Sequence, residues 1–179
     1  METPRLETER LILRPITEED LGFIYELFSC PETNRYCSHE NLRNLEEAGE
    51  MYEEYLKPGF PSHFRVAVEL KETGEPVGTL GLYSYSERDR RAELGFDLLK
   101  EHWGRGIMTE AVREVLRYGF EGLGLNRVEA TMDPLNTRSV RLVEHLGFKR
   151  EGHMREKYLY KDVHRDELMY SLLRSEWMS

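Results

Sequence analysis

The chain has 179 residues, of which 39% are hydrophobic and 33% charged, with 25 basic against 34 acidic side chains and a formal charge of −9. That length holds one core and is short for two, so a single domain over residues 1–179 is expected; no apolar run is long enough to span a bilayer and the first residues carry no secretory pattern, which points to the cytoplasm. The acidic balance argues against nonspecific nucleic-acid binding and suits a cationic partner, while Cys30 and Cys37, with six residues between them and no companion Cys or His motif, fit free thiols and no metal site.

In chain order, Leu6 to Arg14 reads as an opening strand ended by Pro15, which cannot donate to a ladder. Thr17 followed by Glu18, Glu19 and Asp20 is an N-cap with an acidic first turn, and a helix to about Ser29 places Leu21, Ile24, Tyr25 and Phe28 on one face before Cys30-Pro31 ends it. A loop and a polar helix, Leu45 to Leu56, follow; its glutamates read as a solvated face, ahead of a patch for a basic substrate. The Pro58-Gly59-Phe60-Pro61 cluster marks a break. Phe64 to Leu70 and Pro76 to Tyr83 alternate with period two around the turn Glu72 to Glu75, and Ala92 to Leu99 follows the charged turn Glu87 to Arg91, so three antiparallel strands are expected.

A turn with Gly104 and Gly106 then opens at once into a helix from Ile107 to about Glu121, apolar at Ile107, Ala111, Val112, Val115 and Leu116. Val128 to Met132 is the next strand, giving one parallel crossover unit. Asn136 caps a helix with Val140, Val143 and Leu146 on one face and Gly147 at its end; Phe148 to Tyr160 and Glu167 to Leu173 read as a closing hairpin. The fold class is α/β (α+β): a mixed, mostly antiparallel sheet with helices on both faces.

Strand, glycine turn and helix together make an anion site, because first-turn N–H groups lack helical partners and the helix dipole favours negative charge there. A triphosphate loop needs a lysine after its last glycine, and neither Gly104 nor Gly106 has one. The dinucleotide pattern G-x-G-x-x-G has Thr109 in its third glycine position, and that fold wants repeated parallel units where this chain has one, so it ranks low even with Asp133 available as a ribose ligand. Coenzyme A is the remaining reading.

The run Trp103-Gly-Arg-Gly-Ile-Met-Thr-Glu-Ala111 resembles the acyl-CoA-binding motif of the GNAT acyltransferases, and Asn136-Thr-Arg-Ser-Val-Arg-Leu-Val-Glu-His-Leu-Gly-Phe148 resembles that superfamily's second motif. The start Leu11-Ile-Leu-Arg-Pro-Ile-Thr-Glu-Glu-Asp-Leu21 and the late Arg155-Glu156, Asp166 and Tyr170-Ser-Leu-Leu173 look like the Rim-type branch, the N-terminal acetyltransferases of ribosomal proteins. The resemblance spans nearly the whole chain and implies a GNAT-like fold with acetyl-CoA as co-substrate. It places Leu99, Trp103, Gly104, Arg105, Gly106, Ile107, Met108, Thr109 and Asn136 at the cofactor. Glu101 stands where the family has Gln or Arg, with Arg105 as a compensating charge.

The implied chemistry is direct attack of an amine on the thioester in a ternary complex, which needs a proton acceptor, an oxyanion donor and an acid for the thiolate. The resemblance assigns the first to Glu93, in part through water, against a plain surface carboxylate, and the last to Ser139, since Val143 occupies the position of the tyrosine used by many members. For Ser139 the catalytic reading stands modestly ahead of a first-turn serine satisfying a backbone N–H. The implied acceptor is a protein N-terminal amine, with a polyamine or aminoglycoside as alternative and a non-catalytic acyl-CoA-binding module as the other class. A homodimer is the assembly left open.

Overall fold

The computed structural model describes residues 3–37, 39–56 and 64–177; the Pro58 to Pro61 break lies outside them. Among the described residues the strands are β1 (Leu6–Glu7), β2 (Leu11–Pro15), β3 (Phe64–Leu70), β4 (Pro76–Ser86), β5 (Arg91–Leu98), β6 (Arg127–Met132), β7 (Lys149–Tyr160) and β8 (Val163–Leu173), with helices α1 (Leu21–Ser29), α2 (Leu45–Met51), α3 (Ile107–Arg117), α4 (Thr137–His145) and α5 (Arg174–Trp177). The strands form one sheet in the order β1-β2-β3-β4-β5-β6-β8-β7. All neighbours are antiparallel except β5 and β6, which are parallel because α3 carries the chain back between them.

Period-two alternation divides the sheet between two cores. Val66, Val68, Leu80, Leu82, Leu94, Val128 and Ala130 pack with Ile107, Ala111, Val112 and Val115 of α3 and Val143 of α4. Ala67, between two members of that core, belongs instead to a smaller one with Ile24, Leu27 and Phe28 of α1, Ala48 of α2, Tyr52 and Leu99. The α3 sequence fits its place: apolar positions at i, i+4, i+5 and i+8 make one stripe, each buried side chain contributing on the order of 1.5–3 kcal/mol. In α1 the buried face is Phe23, Ile24, Leu27 and Phe28, so Leu21 and Tyr25 lie at its margin rather than on it. Ala48 of α2 and Tyr52, in the π turn just after it, make a narrow stripe that docks on α1 while the glutamates stay outward.

Several boundaries differ from the sequence expectation: the polar helix is α-helical only to Met51 and α3 only to Arg117, each continuing as a π turn, and β4 runs on to Ser86. The opening strand is a hairpin, with Leu6 opposite Leu13. Its turn is held by Glu110 of α3, which accepts from the Thr8 hydroxyl (2.6 Å), the Arg10 N–H (2.9 Å) and Arg10 Nε (2.6 Å). Burial opposes ionisation of Glu110, but these bonds outweigh it and hold its carboxyl below the usual range. Before α1, residues Glu18–Asp20 form a 3₁₀ turn in which Asp20 accepts from the Thr17 N–H at 2.8 Å. Finally, β8 begins at Val163 rather than Glu167, and the turn into it uses Lys161 and Asp162 at φ of 49° and 58°, a left-handed pair that supports a two-residue hairpin loop without glycine.

Candidate active site

The site is made where β5 and β6 stop pairing. Their parallel ladder covers only Arg91–Glu93 against Arg127–Glu129, yet β5 continues to Leu98 and β6 to Met132. On its other side β5 stays paired with β4 as far as Leu98. The edge of residues 94–98 that faces β6 is therefore open. An open strand edge offers main-chain N–H and C=O groups to an extended ligand.

At the end of that edge the chain turns through Lys100–His102 into Gly104 and Gly106, both left-handed at φ of 74° and 73°. Gly106 is the N-cap of α3, and Glu110 N–H is the first to find a helical partner, Gly106 O at 3.0 Å. The N–H groups of Ile107, Met108 and Thr109 precede it in the helix, so the cradle has backbone donors and a positive dipole end. Arg10 Nη1 donates to Arg105 O at 3.1 Å, so the N-terminal hairpin clamps the turn from outside. Trp103 Nε1 donates to Leu98 O at 2.8 Å, and the Arg138 guanidinium lies 4.3 Å from the centroid of its ring.

The open edge and the cradle face one continuous cleft of about 1720 Å³. Trp103, Gly104, Gly106, Ile107, Met108, Thr109, Asn136 and Ser139 line it; Leu99, Arg105 and Glu93 do not. Leu99 turns its side chain into the smaller core and gives its N–H to Val77 O at 2.9 Å. The Arg105 side chain is exposed. Glu101 is exposed too and off the cleft wall, so its charge does not face the cradle. Asn136 Oδ1 accepts from Ser139 N–H at 3.3 Å, a cap that starts α4 beside the cleft, and Ser139 itself is half-buried on the wall. Val143 is fully buried in the larger core, so α4 reaches the cleft through Asn136, Arg138, Ser139, Arg141, Leu142 and His145 instead.

Glu93 sits at the vertex of the wedge. Its Oε1 accepts from Tyr83 Oη at 3.0 Å and Thr131 Oγ1 at 2.9 Å, the residues in front of it on the wall. Burial, and then the Glu93 charge, push the Tyr83 phenol above its usual range, so it remains a donor at neutral pH. Further along the wall Arg65 pairs with Asp97 and donates to Thr79 Oγ1 at 2.9–3.0 Å. Cys37 Sγ lies 3.7 Å from Asp97 Oδ1, and burial, with the Asp97 charge behind it, pushes its thiol up. Tyr83, Thr131, Glu167, Arg65 and Asp97 come from five strands and carry no motif; only the cross-strand register brings them together.

The comparisons with known proteins bear on this geometry. A family model described as an acetyltransferase (GNAT) domain matches residues 10–149. The chain belongs to the GNAT acetyltransferase family. It is 37% identical over 96% of its length to the N-acetyltransferase YoaA of Bacillus subtilis, of which it covers 97%. YdaF of Bacillus subtilis, which carries the name of a ribosomal N-acetyltransferase, is 38% identical over 58% of this chain and 57% of its own. Among solved structures, spermidine N-acetyltransferase from Vibrio cholerae in complex with CoA and spermine matches 96% of this chain and all of its own, with a TM-score of 0.84 at 25% identity.

The GNAT chain is thus a transferase, an acetyl-CoA-dependent N-acyltransferase with acetyl-CoA as its co-substrate, which sets aside the non-catalytic alternative. Its residues fit that ligand: amide donors and a dipole for phosphate oxygens, Arg138 and Arg141 on the same wall for further negative charge, and an open strand edge for the extended arm. Among the described residues no group of three or more His, Cys, Asp or Glu is placed to hold a metal, and no helix is long and apolar enough to cross a membrane.

Proposed function

We propose that this chain, working as one domain over residues 1–179 in the cytoplasm, moves the acetyl group of acetyl-CoA directly to a protein N-terminal amine, as the Rim-type branch does. The observation that carries the choice of acceptor is the mixed charge of the cleft wall. Glu32 pairs with Lys100 and Asp97 with Arg65, while Arg35 and Lys157 stand among the carboxylates Glu54 and Glu167. One ammonium with an extended peptide behind it suits such a wall; a polyamine would set several of its ammonium groups against these cations. The free thiols of Cys30 and Cys37 agree with a reducing compartment.

In this reading the cradle from Gly104 to Thr109 holds the pyrophosphate through its amides, with Trp103 and Arg138 closing the side of the turn and Asn136 facing the pantetheine arm. Leu99 and Arg105 act through the backbone they set, since their side chains lie off the wall. The amine attacks the thioester beside the β5 edge, whose amides supply the oxyanion donor. Ser139 returns a proton to the departing thiolate. Glu93, behind Tyr83 and Thr131, belongs to the proton-accepting machinery and reaches the amine through an intervening group.

A small-amine acceptor is the second reading, favoured by the Vibrio cholerae relative whose structure holds spermine. Steady-state release of free CoA thiol decides between them, using peptides with free N-termini, the same peptides N-terminally blocked, spermidine and an aminoglycoside. The proposal requires kcat/KM for a free peptide at least about tenfold above spermidine, near 1.4 kcal/mol of transition-state preference, and no turnover of blocked peptides. The reverse order selects the polyamine.

A further inference from the structure

Glu93 is the acid that sequence reasoning selects, yet it stands behind the wall. The carboxylate that lines the cleft at the same place is Glu167 of β8. Glu167 lies two residues before Met169, the partner of Thr131 across the β6–β8 ladder, and opposite Met154 of β7. The Thr131 hydroxyl lies within reach of both acids. A hydroxyl has one proton to give, and here Thr131 gives it to Glu93 at 2.9 Å; Tyr83 gives a second to the same oxygen at 3.0 Å. One oxygen of Glu93 thus holds two donors, and Thr131 stands between it and Glu167. Of the two acids, Glu167 is the one whose side chain the cleft reaches.

We propose that Glu167 is the carboxylate that contacts the acceptor amine and takes its proton, with Thr131 and Glu93 as positioning residues behind it. The step rests on the reading that the acceptor is an amine, and it serves peptide and polyamine alike. The ammonium gives one proton to Glu167 and becomes the nucleophile. Its nitrogen bonds to the thioester carbonyl carbon and the C–S bond breaks. The second nitrogen proton balances the thiolate, delivered through Ser139, and the proton on Glu167 leaves to solvent.

The electrostatics agree in sign. Burial first, and the negative charge of Glu93 second, raise the Glu167 carboxyl above the usual range, against a lowering contribution from Thr131, which moves it toward the proton affinity a base needs near neutrality. The charged and titratable groups around it are Glu93 from β5, Tyr83 from β4, and Lys157 and Tyr158 from β7, with Asp133 and Arg165 beyond Tyr158.

The test uses the full chain as wild type, Glu167→Gln, Glu93→Gln and Thr131→Val. Acetyl-CoA affinity is measured by calorimetry, and kcat/KM for the best amine from about pH 6 to about pH 9. We expect Glu167→Gln to bind acetyl-CoA normally, to lose roughly 100-fold or more in kcat/KM, and to lose the acidic limb of the profile. Glu93→Gln should keep the limb but move it to lower pH, since removing the neighbouring charge lowers the Glu167 pKa; Thr131→Val should shift it as well. An active wild type with Glu167→Gln within about threefold of it, or with its acidic limb intact, overturns the proposal alone. Wild type that binds acetyl-CoA but turns over no amine removes the underlying reading, and the proposal with it. Folding is checked by thermal melting. A group with a raised folded pKa costs stability as pH rises through that pKa, so Glu167→Gln should melt above wild type at alkaline pH and beside it near pH 4.

Discussion

Gly104 and Gly106 hold left-handed backbone at φ of 74° and 73°, and Gly74, in the β3–β4 turn away from the cleft, holds the same conformation at 74°. Alanine at any of the three meets no clash: an added Cβ has nothing within 4 Å at Gly104 and Gly74, and only the far end of Arg10, at 3.6 Å, at Gly106. The intrinsic penalty is therefore the same, about 1–2 kcal/mol for an L-residue in this region. What differs is where it is felt. The turn over residues 104–106 is exposed and can relax when empty, so the ligand must restore the strained backbone, and the full penalty corresponds to roughly 5- to 30-fold weaker CoA binding. Gly74→Ala should lower Tm by a similar free energy and leave CoA affinity unchanged. Calorimetric titration with CoA, together with melting of the empty proteins, measures both. Wild-type affinity in Gly106→Ala with a melting loss like that of Gly74→Ala would show that the glycine turn is not the phosphate cradle.

Ser139→Ala should lower kcat by roughly 100-fold with acetyl-CoA affinity nearly intact, because the backbone cap uses the Ser139 N–H and survives; unchanged turnover rejects the acid role. Arg138→Ala removes the guanidinium over Trp103 and should weaken CoA binding by about 1 kcal/mol in calorimetry, with Tm little changed. Asp20→Asn breaks a buried set in which Asp20 accepts from Arg14 at 2.8 and 2.9 Å and from Thr17 N–H at 2.8 Å; since Arg14 keeps Glu69, we expect a loss of about 2–3 kcal/mol. That lowers Tm by roughly 4–12 °C for a chain of this size. Burial opposes the Asp20 charge, but the Arg14 and Thr17 bonds win, so its folded pKa is depressed: its contribution is present above the unfolded carboxylate pKa and lost as pH falls through the folded one. Wild type should accordingly lose stability more steeply than Asp20→Asn on acidification.

Local rules carried much of the fold. The alternation of Phe64–Leu70 and Pro76–Tyr83, the glycine turn before Ile107 and the cap at Asn136 are decisions made within a few residues, and each stands at its expected place. The hairpin hidden in Leu6–Arg14 was not legible, because its turn is tied by Glu110, about 100 residues away in the chain. Nor was the Lys161–Asp162 loop, whose left-handed pair is paid for by the long β7–β8 ladder rather than by glycine. On the cleft wall, the places of Gly104, Gly106 and Ser139 followed from contiguous motifs. Glu167 and Thr131 did not, since a carboxylate on β8 reaches the cleft only through the register of β6 on β8 and the early end of the β5–β6 ladder.

The central claim is that acetyl-CoA lies along the open edge of β5 with its pyrophosphate on the first turn of α3. Amide hydrogen exchange of the full chain, with and without acetyl-CoA, tests it most directly. The account predicts ligand-dependent protection concentrated at the amides of residues 94–98 and 104–109, with little change in the turn between β3 and β4. Protection absent from both segments while acetyl-CoA is demonstrably bound would contradict it.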